Sequence, residues 1–157
     1  VSRCGMVYVP PELSWRSVVK TWMGKAAVLA AVAPEVREHL WKLFDTVDGA
    51  LAFNEASCTE DFPTVPINLV HSLCNLFESM YKPGAAGVPV LRPPQPVKVE
   101  GQEELSVTDE ARDVYQSDIE TAKVTMDHLF FLSFVWSLGG SLNQDSWPLF
   151  DAYLKGM

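Results

Sequence analysis

The chain opens with Val1–Pro11, Val-Ser-Arg-Cys-Gly-Met-Val-Tyr-Val-Pro-Pro, and this stretch decides the predicted fold. Met6–Val9 is apolar and partly β-branched, which is typical of a short strand buried on both faces. Pro10 and Pro11 remove two backbone donors, so the strand must end there. Because the residues that follow have helical patterns, this strand has no partner of its own. We therefore expect a piece of a longer polypeptide that starts at the edge of an α/β domain.

The composition indicates one folded domain with a negative charge. At 157 residues the chain can bury a core of its own, and a hydrophobic content of 48% is ordinary for a globular protein. The net charge of −8 argues against nucleic acid, whose phosphates require a basic surface. It argues equally against an anionic membrane surface. We therefore expect neither nucleic acid nor membrane among the partners.

The cysteines and the apolar runs bear on the compartment. Cys4, Cys58 and Cys74 are an odd number of thiols at irregular spacing, which favours a reducing compartment over a disulfide framework. The longest apolar run, Leu129–Leu138, is too short to span a bilayer, and no signal peptide is visible. The sequence predicts a cytosolic or comparable location.

Helical patterns begin directly after the two prolines. Ser14 is the predicted N-cap of an amphipathic helix that ends near Gly24. Pro34 suits the first position of a second helix. The apolar stripe of that helix predicts one continuous element and consists of Val36, Leu40, Phe44, Val47 and Leu51.

A third helix is expected between two loops. Asn54–Pro63 is polar and proline-bounded, so we expect a loop there. Ile67–Tyr81 has apolar residues on two faces, which predicts a helix packed between two neighbours. Residues 83–105 contain five prolines and three glycines without a helical period. They predict an extended surface loop, and a loop this long in a compact domain is often an insertion.

The last two helices complete the predicted fold. Thr108 is the predicted N-cap of a long helix, and Leu129–Leu138 is apolar nearly all round, which predicts the buried axis of a bundle. Asp145 or Ser146 then caps a final helix, whose predicted core residues are Trp147, Phe150 and Leu154. The predicted fold class is all-α, a bundle of about five helices preceded by one short orphan β-strand.

Few residues suggest chemistry within the chain. No Gly-rich loop ends in Lys-Ser or Lys-Thr, and no hydrophobic run ends in paired acids that would hold Mg²⁺. His71 and Cys74 share a helix face, but a zinc site needs two further ligands and a catalytic thiol needs an oriented base. Metal ligation by His39, Cys58 or His128 would require a chance convergence. The acid pairs Glu103-Glu104 and Asp109-Glu110 suit a solvated loop and a helix start.

The opening residues carry a resemblance to a known family. Ser2–Tyr8 followed by the helix Ser14–Met23 resembles dynein heavy chains of the axonemal type, at the end of the second AAA+ module of the motor ring. Asn68–Leu76 and Phe134–Ser141 resemble the helical lid that follows that module. Ser2-Arg3-Cys4 is also similar to an arginine-finger element of clamp-loader ATPases. Residues 55–63 and 83–105 match no pattern of this family.

This resemblance implies a role for Arg3. It implies that residues 1–11 are the terminal strand of an AAA+ large subdomain and that residues 12–157 are the helical lid and linker, with 83–105 as a Pro-rich insertion. Arg3 would act in trans as an arginine finger on the nucleotide of the adjacent module. Without the resemblance, a lone arginine is more simply a solvated surface charge. Arg16 and Arg37 are both candidates for a sensor arginine of such a lid.

The resemblance also implies the setting of the parent chain. The segment would not be an enzyme on its own, whereas the parent would hydrolyse ATP, with ATP or ADP and Mg as its cofactors. Partners would be adjacent AAA+ modules, dynein intermediate and light chains, and microtubules, in the cytoskeleton of the ciliary or flagellar axoneme. Two alternatives stay open, a free-standing helical protein-interaction module without catalytic activity and a small metallo- or thiol enzyme.

Overall fold

The computed structural model describes residues 14–26, 29, 32–82, 91, 93–98 and 105–157. Within them six helices follow one another, namely α1 (Trp15–Lys25), α2 (Pro34–Leu43), α3 (Asp45–Ser57), α4 (Pro66–Met80), α5 (Asp109–Gly139) and α6 (Trp147–Lys155). Two short strands, β1 (Val97–Lys98) and β2 (Leu105–Ser106), pair antiparallel. Apart from this ladder the described residues form an all-α fold. The predicted strand Met6–Val9 lies outside the described residues, as does most of the predicted loop 83–105.

The helices begin where local chemistry predicts. Pro34 and Pro66 occupy the first positions of α2 and α4, where the missing amide proton costs no hydrogen bond. Thr108 caps α5, since its hydroxyl accepts a hydrogen bond from the amide of Ala111 at 3.3 Å. Ser14 precedes α1 as predicted, but its side chain makes no capping hydrogen bond.

The core lies where α4 packs between α1 and α5 while α2 packs against α5. Leu73, Cys74 and Phe77 of α4 are fully buried, which confirms the prediction of a helix between two neighbours. An aromatic cluster runs through this core by edge and stacking contacts with ring centroids 5.1–6.4 Å apart. Its members are Trp15, Trp22, Phe44, Phe77, Tyr81, Phe130 and Phe134.

The prediction of one continuous second helix is wrong at Phe44, where α2 ends and α3 begins. The ring of Phe44 lies 5.1 Å from that of Phe130 and 6.1 Å from that of Trp22. The stripe correctly placed Phe44 in the core. At the break the amide of Val47 donates to the carbonyl of Phe44 at 3.1 Å and the hydroxyl of Thr46 donates to the carbonyl of Leu43 at 2.8 Å, so the regular helical hydrogen bonds are interrupted there.

The predicted loop Asn54–Pro63 begins later than expected, because α3 continues to Ser57. Asn54 is buried, and its amide nitrogen donates a hydrogen bond to the carbonyl of Leu138 at 2.9 Å. A polar residue thus stays helical because it satisfies a carbonyl in the last turn of α5.

The expectation that the second half of α5 is buried all round is wrong on one face. Phe131, Leu132 and Trp136 are 50%, 43% and 69% exposed. In α6 Phe150 is buried as predicted, whereas Trp147 is 55% exposed. The nine residues of α6 are too short to cover the outer side of a 31-residue helix. Among the described residues no helix combines the length and hydrophobicity that crossing a bilayer requires.

Candidate functional site

The predicted site residue Arg3 lies outside the described residues, together with Ser2, Cys4 and Gly5. The acid pair Glu103-Glu104 lies outside them as well. Asp109 and Glu110 form the first turn of α5, where acids stabilise the helix dipole. The described residues include the two other candidate arginines, the thiols of Cys58 and Cys74, and the three histidines.

Arg16 is held by two acids. Its guanidinium donates to the carboxylates of Asp45, at 3.3 Å, and of Asp48, and it stacks over the ring of Trp15 at 4.7 Å. The two aspartates raise the pKa of Arg16, and the hydrogen bond with Asp48 contributes most. Asp48 also accepts a hydrogen bond from the indole of Trp15. Arg16 therefore serves to join α1 to α3, and its charge is already compensated.

Arg37 has a different environment. Its guanidinium donates to the backbone carbonyl of Met23 at 3.0 Å, which ties α2 to the end of α1. No acid among the described residues forms an ion pair with Arg37. In the described part of the chain the half-buried charge of Arg37 therefore has no acidic partner. Arg37 is for this reason the better candidate of the two arginines to bind an anion.

His71 and Cys74 do not form a reactive pair. Cys74 is fully buried, and burial raises the pKa of its thiol to about 12. His71 is exposed, and its Nδ1 lies 3.2 Å from the side-chain nitrogen of Asn75. Burial also raises the pKa of Cys58. Because the thiolate is the nucleophile, both thiols are poor nucleophiles at neutral pH.

The three histidines do not converge. Nε2 of His39 lies 2.6 Å from the carboxylate of Asp127 and links α2 to α5, whereas His71 and His128 are exposed. Across the described ranges no group of three or more His, Cys, Asp or Glu side chains could hold a metal ion.

A cluster of hydrogen bonds, which we call the polar clamp, joins the loop between α3 and α4 to the loop between α5 and α6. Glu60 lies opposite Leu142 in an isolated antiparallel bridge. The carboxylate of Glu60 accepts hydrogen bonds from the amide and hydroxyl of Thr64, at 2.7 and 2.5 Å, and from the hydroxyl of Ser141 at 3.0 Å. A cleft of about 560 Å³ lies beside it, between α3 and the start of α4. Glu55 and Cys58 also line this cleft, and the carboxylate of Glu60 is held in place by its three hydrogen bonds.

A second concavity lies between the end of α5 and α6. It measures about 290 Å³ and is lined by Val135, Trp136, Gly139, Gly140, Trp147, Phe150, Asp151 and Leu154. We call these residues the α5–α6 groove. Its lining is apolar apart from Asp151, which suits contact with apolar groups.

The sequence is similar to a known family over most of its length. The sequence model described as "Dynein heavy chain AAA lid domain" matches residues 40–157. The chain belongs to this lid family. Human "Dynein axonemal heavy chain 6" is 31% identical over 157 residues, which are 99% of this chain and 3% of that protein. The predicted resemblance to dynein heavy chains of the axonemal type is thereby confirmed.

Other relatives agree with this membership. Human "Dynein axonemal heavy chain 3" is 26% identical over 100% of this chain and 3% of its own length. The "Dynein-1-beta heavy chain, flagellar inner arm I1 complex" of Chlamydomonas reinhardtii is 26% identical over 100% of this chain and 4% of its own length. The lid thus spans only a few per cent of these relatives. No solved structure gives a significant match.

Sequence reasoning missed the clamp and the groove of the lid. Glu60 and Ser141 are 81 residues apart, so no local pattern connects them. A signal for the groove was present, because Leu129–Leu138 is too apolar for a helix with one buried face. That pattern predicts complete burial, whereas the structure leaves one face of the helix uncovered.

Proposed function

We propose that this chain is the lid of the second AAA+ module in an axonemal-type dynein heavy chain. The match of residues 40–157 to the dynein lid family is the observation that carries the proposal. Residues 12–157 would form the lid and linker, with 83–105 as an insertion, and residues 1–11 the last strand of the large subdomain of the same module.

Its work is mechanical and it has no catalytic activity of its own. Side-chain hydrogen bonds cross several helix interfaces, among them those from Trp15 to Asp48, from Trp22 to Glu78 at 2.8 Å, and between His39 and Asp127. Together with the aromatic core they favour movement of the bundle as one body. Such a lid couples ATP binding and hydrolysis in neighbouring modules to conformational change around the ring.

The parent motor supplies the remaining parts. It binds and hydrolyses ATP with Mg, associates with intermediate and light chains, and moves toward microtubule minus ends in the axoneme of cilia and flagella. Within the lid, Arg37 is the better candidate for a sensor arginine, because Arg16 is already paired with two aspartates.

Arg3 acts in trans on the nucleotide of the preceding module. Its permanently charged, planar guanidinium suits the charge that develops on the transferring phosphoryl group. In the parent heavy chain Arg3→Ala should lower ATP turnover about 10³–10⁵-fold while nucleotide still binds. The matched control is Arg112→Ala, which removes an exposed arginine whose ion pair with Asp109 contributes little. Normal turnover in Arg3→Ala would leave Arg3 a surface charge.

The second candidate is a free-standing helical interaction module. Phe131, Trp136 and Trp147 are each at least half exposed, which suits a surface covered in a larger assembly and disfavours this alternative. Circular dichroism and size-exclusion chromatography of the 157-residue chain distinguish the two. A two-state, monodisperse monomer supports the module, and association driven by apolar surface supports the lid.

A further inference from the structure

The α5–α6 groove is preformed. The indole nitrogen of Trp147 donates to the carbonyl of Leu142 at 3.1 Å, which fixes that ring at one wall. Phe150 packs so closely on Gly139 that a Cβ there would lie 2.9 Å from Cε1 of the ring. Walls held in this way need no rearrangement to admit a partner, which reduces the entropic cost of binding.

The groove continues into an exposed apolar surface. Phe131, Leu132 and Trp136 lie on neighbouring turns of α5 and are 43–69% exposed. Single exposed apolar residues are common on any protein surface. A row of them that leads into an apolar groove marks an interaction site.

The charge around the groove is negative. The last turn of α5 contains no basic residue, so no side-chain cation offsets the partial negative charge at the C-terminus of this helix. Asp151 lines the groove, and Asp145 is exposed in the loop that joins the two helices. Lys155 pairs with Asp151 at 2.6 Å, but both side chains are mostly exposed and such pairs are weak.

These features fit a basic side chain with an apolar stem. Lysine and arginine bury their methylene groups on apolar surface while the charged end reaches acids or carbonyls. The faces of Trp136 and Trp147 also attract cations. A second copy of this chain is a poor occupant, because it carries the same net charge of −8 and the same acidic rim.

We propose that the α5–α6 groove binds a basic amphipathic helix from another part of the same heavy chain. Its apolar side chains, three and four residues apart, fill the groove, and its lysine or arginine faces Asp145 and Asp151. The proposal rests on the proposed function, under which the relatives' lengths place most of the heavy chain outside these residues.

Site-specific photo-crosslinking in the purified parent heavy chain tests the proposal. A benzophenone amino acid replaces Trp136, and mass spectrometry identifies the segment to which it couples. The matched control places the same probe at Val114, which is 63% exposed on α5 but lies outside the groove. We expect Trp136 to couple to a Lys/Arg-containing segment of the same heavy chain with helical apolar spacing, and Val114 to give little product.

Two further variants measure how much the wall residue Trp147 and the acidic residues Asp145 and Asp151 contribute to docking. Trp147→Ala, with the probe still at position 136, should weaken docking about 30-fold, since truncating an interface tryptophan costs at least about 2 kcal/mol. The double variant Asp145→Asn, Asp151→Asn should lower the coupling yield and its dependence on salt.

Three results would overturn the proposal. They are a yield at position 136 no higher than at Val114, coupling to a neutral or acidic segment, and coupling between two heavy chains. The readout does not involve ATP turnover. The two proposals can fail separately. If the Arg3→Ala heavy chain hydrolyses ATP normally while Trp136 still couples as expected, the arginine-finger role of Arg3 is refuted and the docking site is retained.

Discussion

The seating of α6 on the bundle depends on the absence of a side chain at Gly139, and Gly139→Ala tests that contact. A Cβ at this position would lie 2.9 and 3.1 Å from two ring carbons of Phe150. Phe150 is buried and belongs to the core, so its ring cannot move away without a cost. The added methyl group must displace α6 or strain the end of α5.

Gly24→Ala is the matched control because Gly24, like Gly139, lies at the C-terminal end of a helix. Nothing lies within 4 Å of a Cβ at Gly24. In both variants alanine gains helix propensity over glycine, worth at most about 1 kcal/mol and less at a helix end. The difference between the two variants therefore isolates the contact with Phe150.

The expected difference follows from known costs of overpacking. Inserting a methyl group into a packed core typically costs about 1–3 kcal/mol. Gly24→Ala should raise the free energy of unfolding by up to about 1 kcal/mol. The free energy of unfolding of Gly139→Ala should be about 1–3 kcal/mol lower than that of Gly24→Ala.

Urea denaturation of the 157-residue chain, followed by far-ultraviolet circular dichroism, measures these free energies. The slope of the free energy against urea concentration should be the same in both variants, so that midpoints compare stability. Repeating Gly139→Ala in a Phe150→Leu background should shrink its penalty, because the two residues are in contact. If both glycine variants are stabilised equally, Phe150 does not lie over Gly139 and the described seating of α6 is wrong.

Two further predictions concern buried groups. Burial raises the pKa of Cys74 from 9.0 to about 12, so the fold favours the neutral thiol. The stability that this burial contributes is complete below about pH 9 and is lost as the pH rises toward about 12. In urea denaturation across this range Cys74→Ala should therefore decline less steeply than the parent chain, and an identical decline would contradict the burial. Asn54→Asp replaces the donor that binds the carbonyl of Leu138 with an acceptor of the same size, and it should lower the free energy of unfolding by at least about 1–3 kcal/mol. Asn75→Asp is its exposed control on α4, and equal effects of the two variants would mean that the Asn54 hydrogen bond contributes nothing.

The sequence by itself determined the fold class and most helix boundaries. Pro34 begins a helix and Thr108 caps the longest one as predicted, because these effects act within one turn of the chain. All five predicted helices are present, one of them divided in two. Family membership was likewise visible in short matching stretches. The opening strand and Arg3 stay predictions, since both lie outside the described residues.

The tertiary structure alone decided which distant segments these helices meet and which faces are left uncovered. Phe44 packs against rings from two other helices, and Asn54 in α3 donates to a carbonyl 84 residues away. The exposed face of Trp136 exists because α6 is too short to cover it. Such features arise from contacts between segments that are distant in sequence. A hydrophobic pattern shows which residues are apolar, but it does not show whether another helix packs on them.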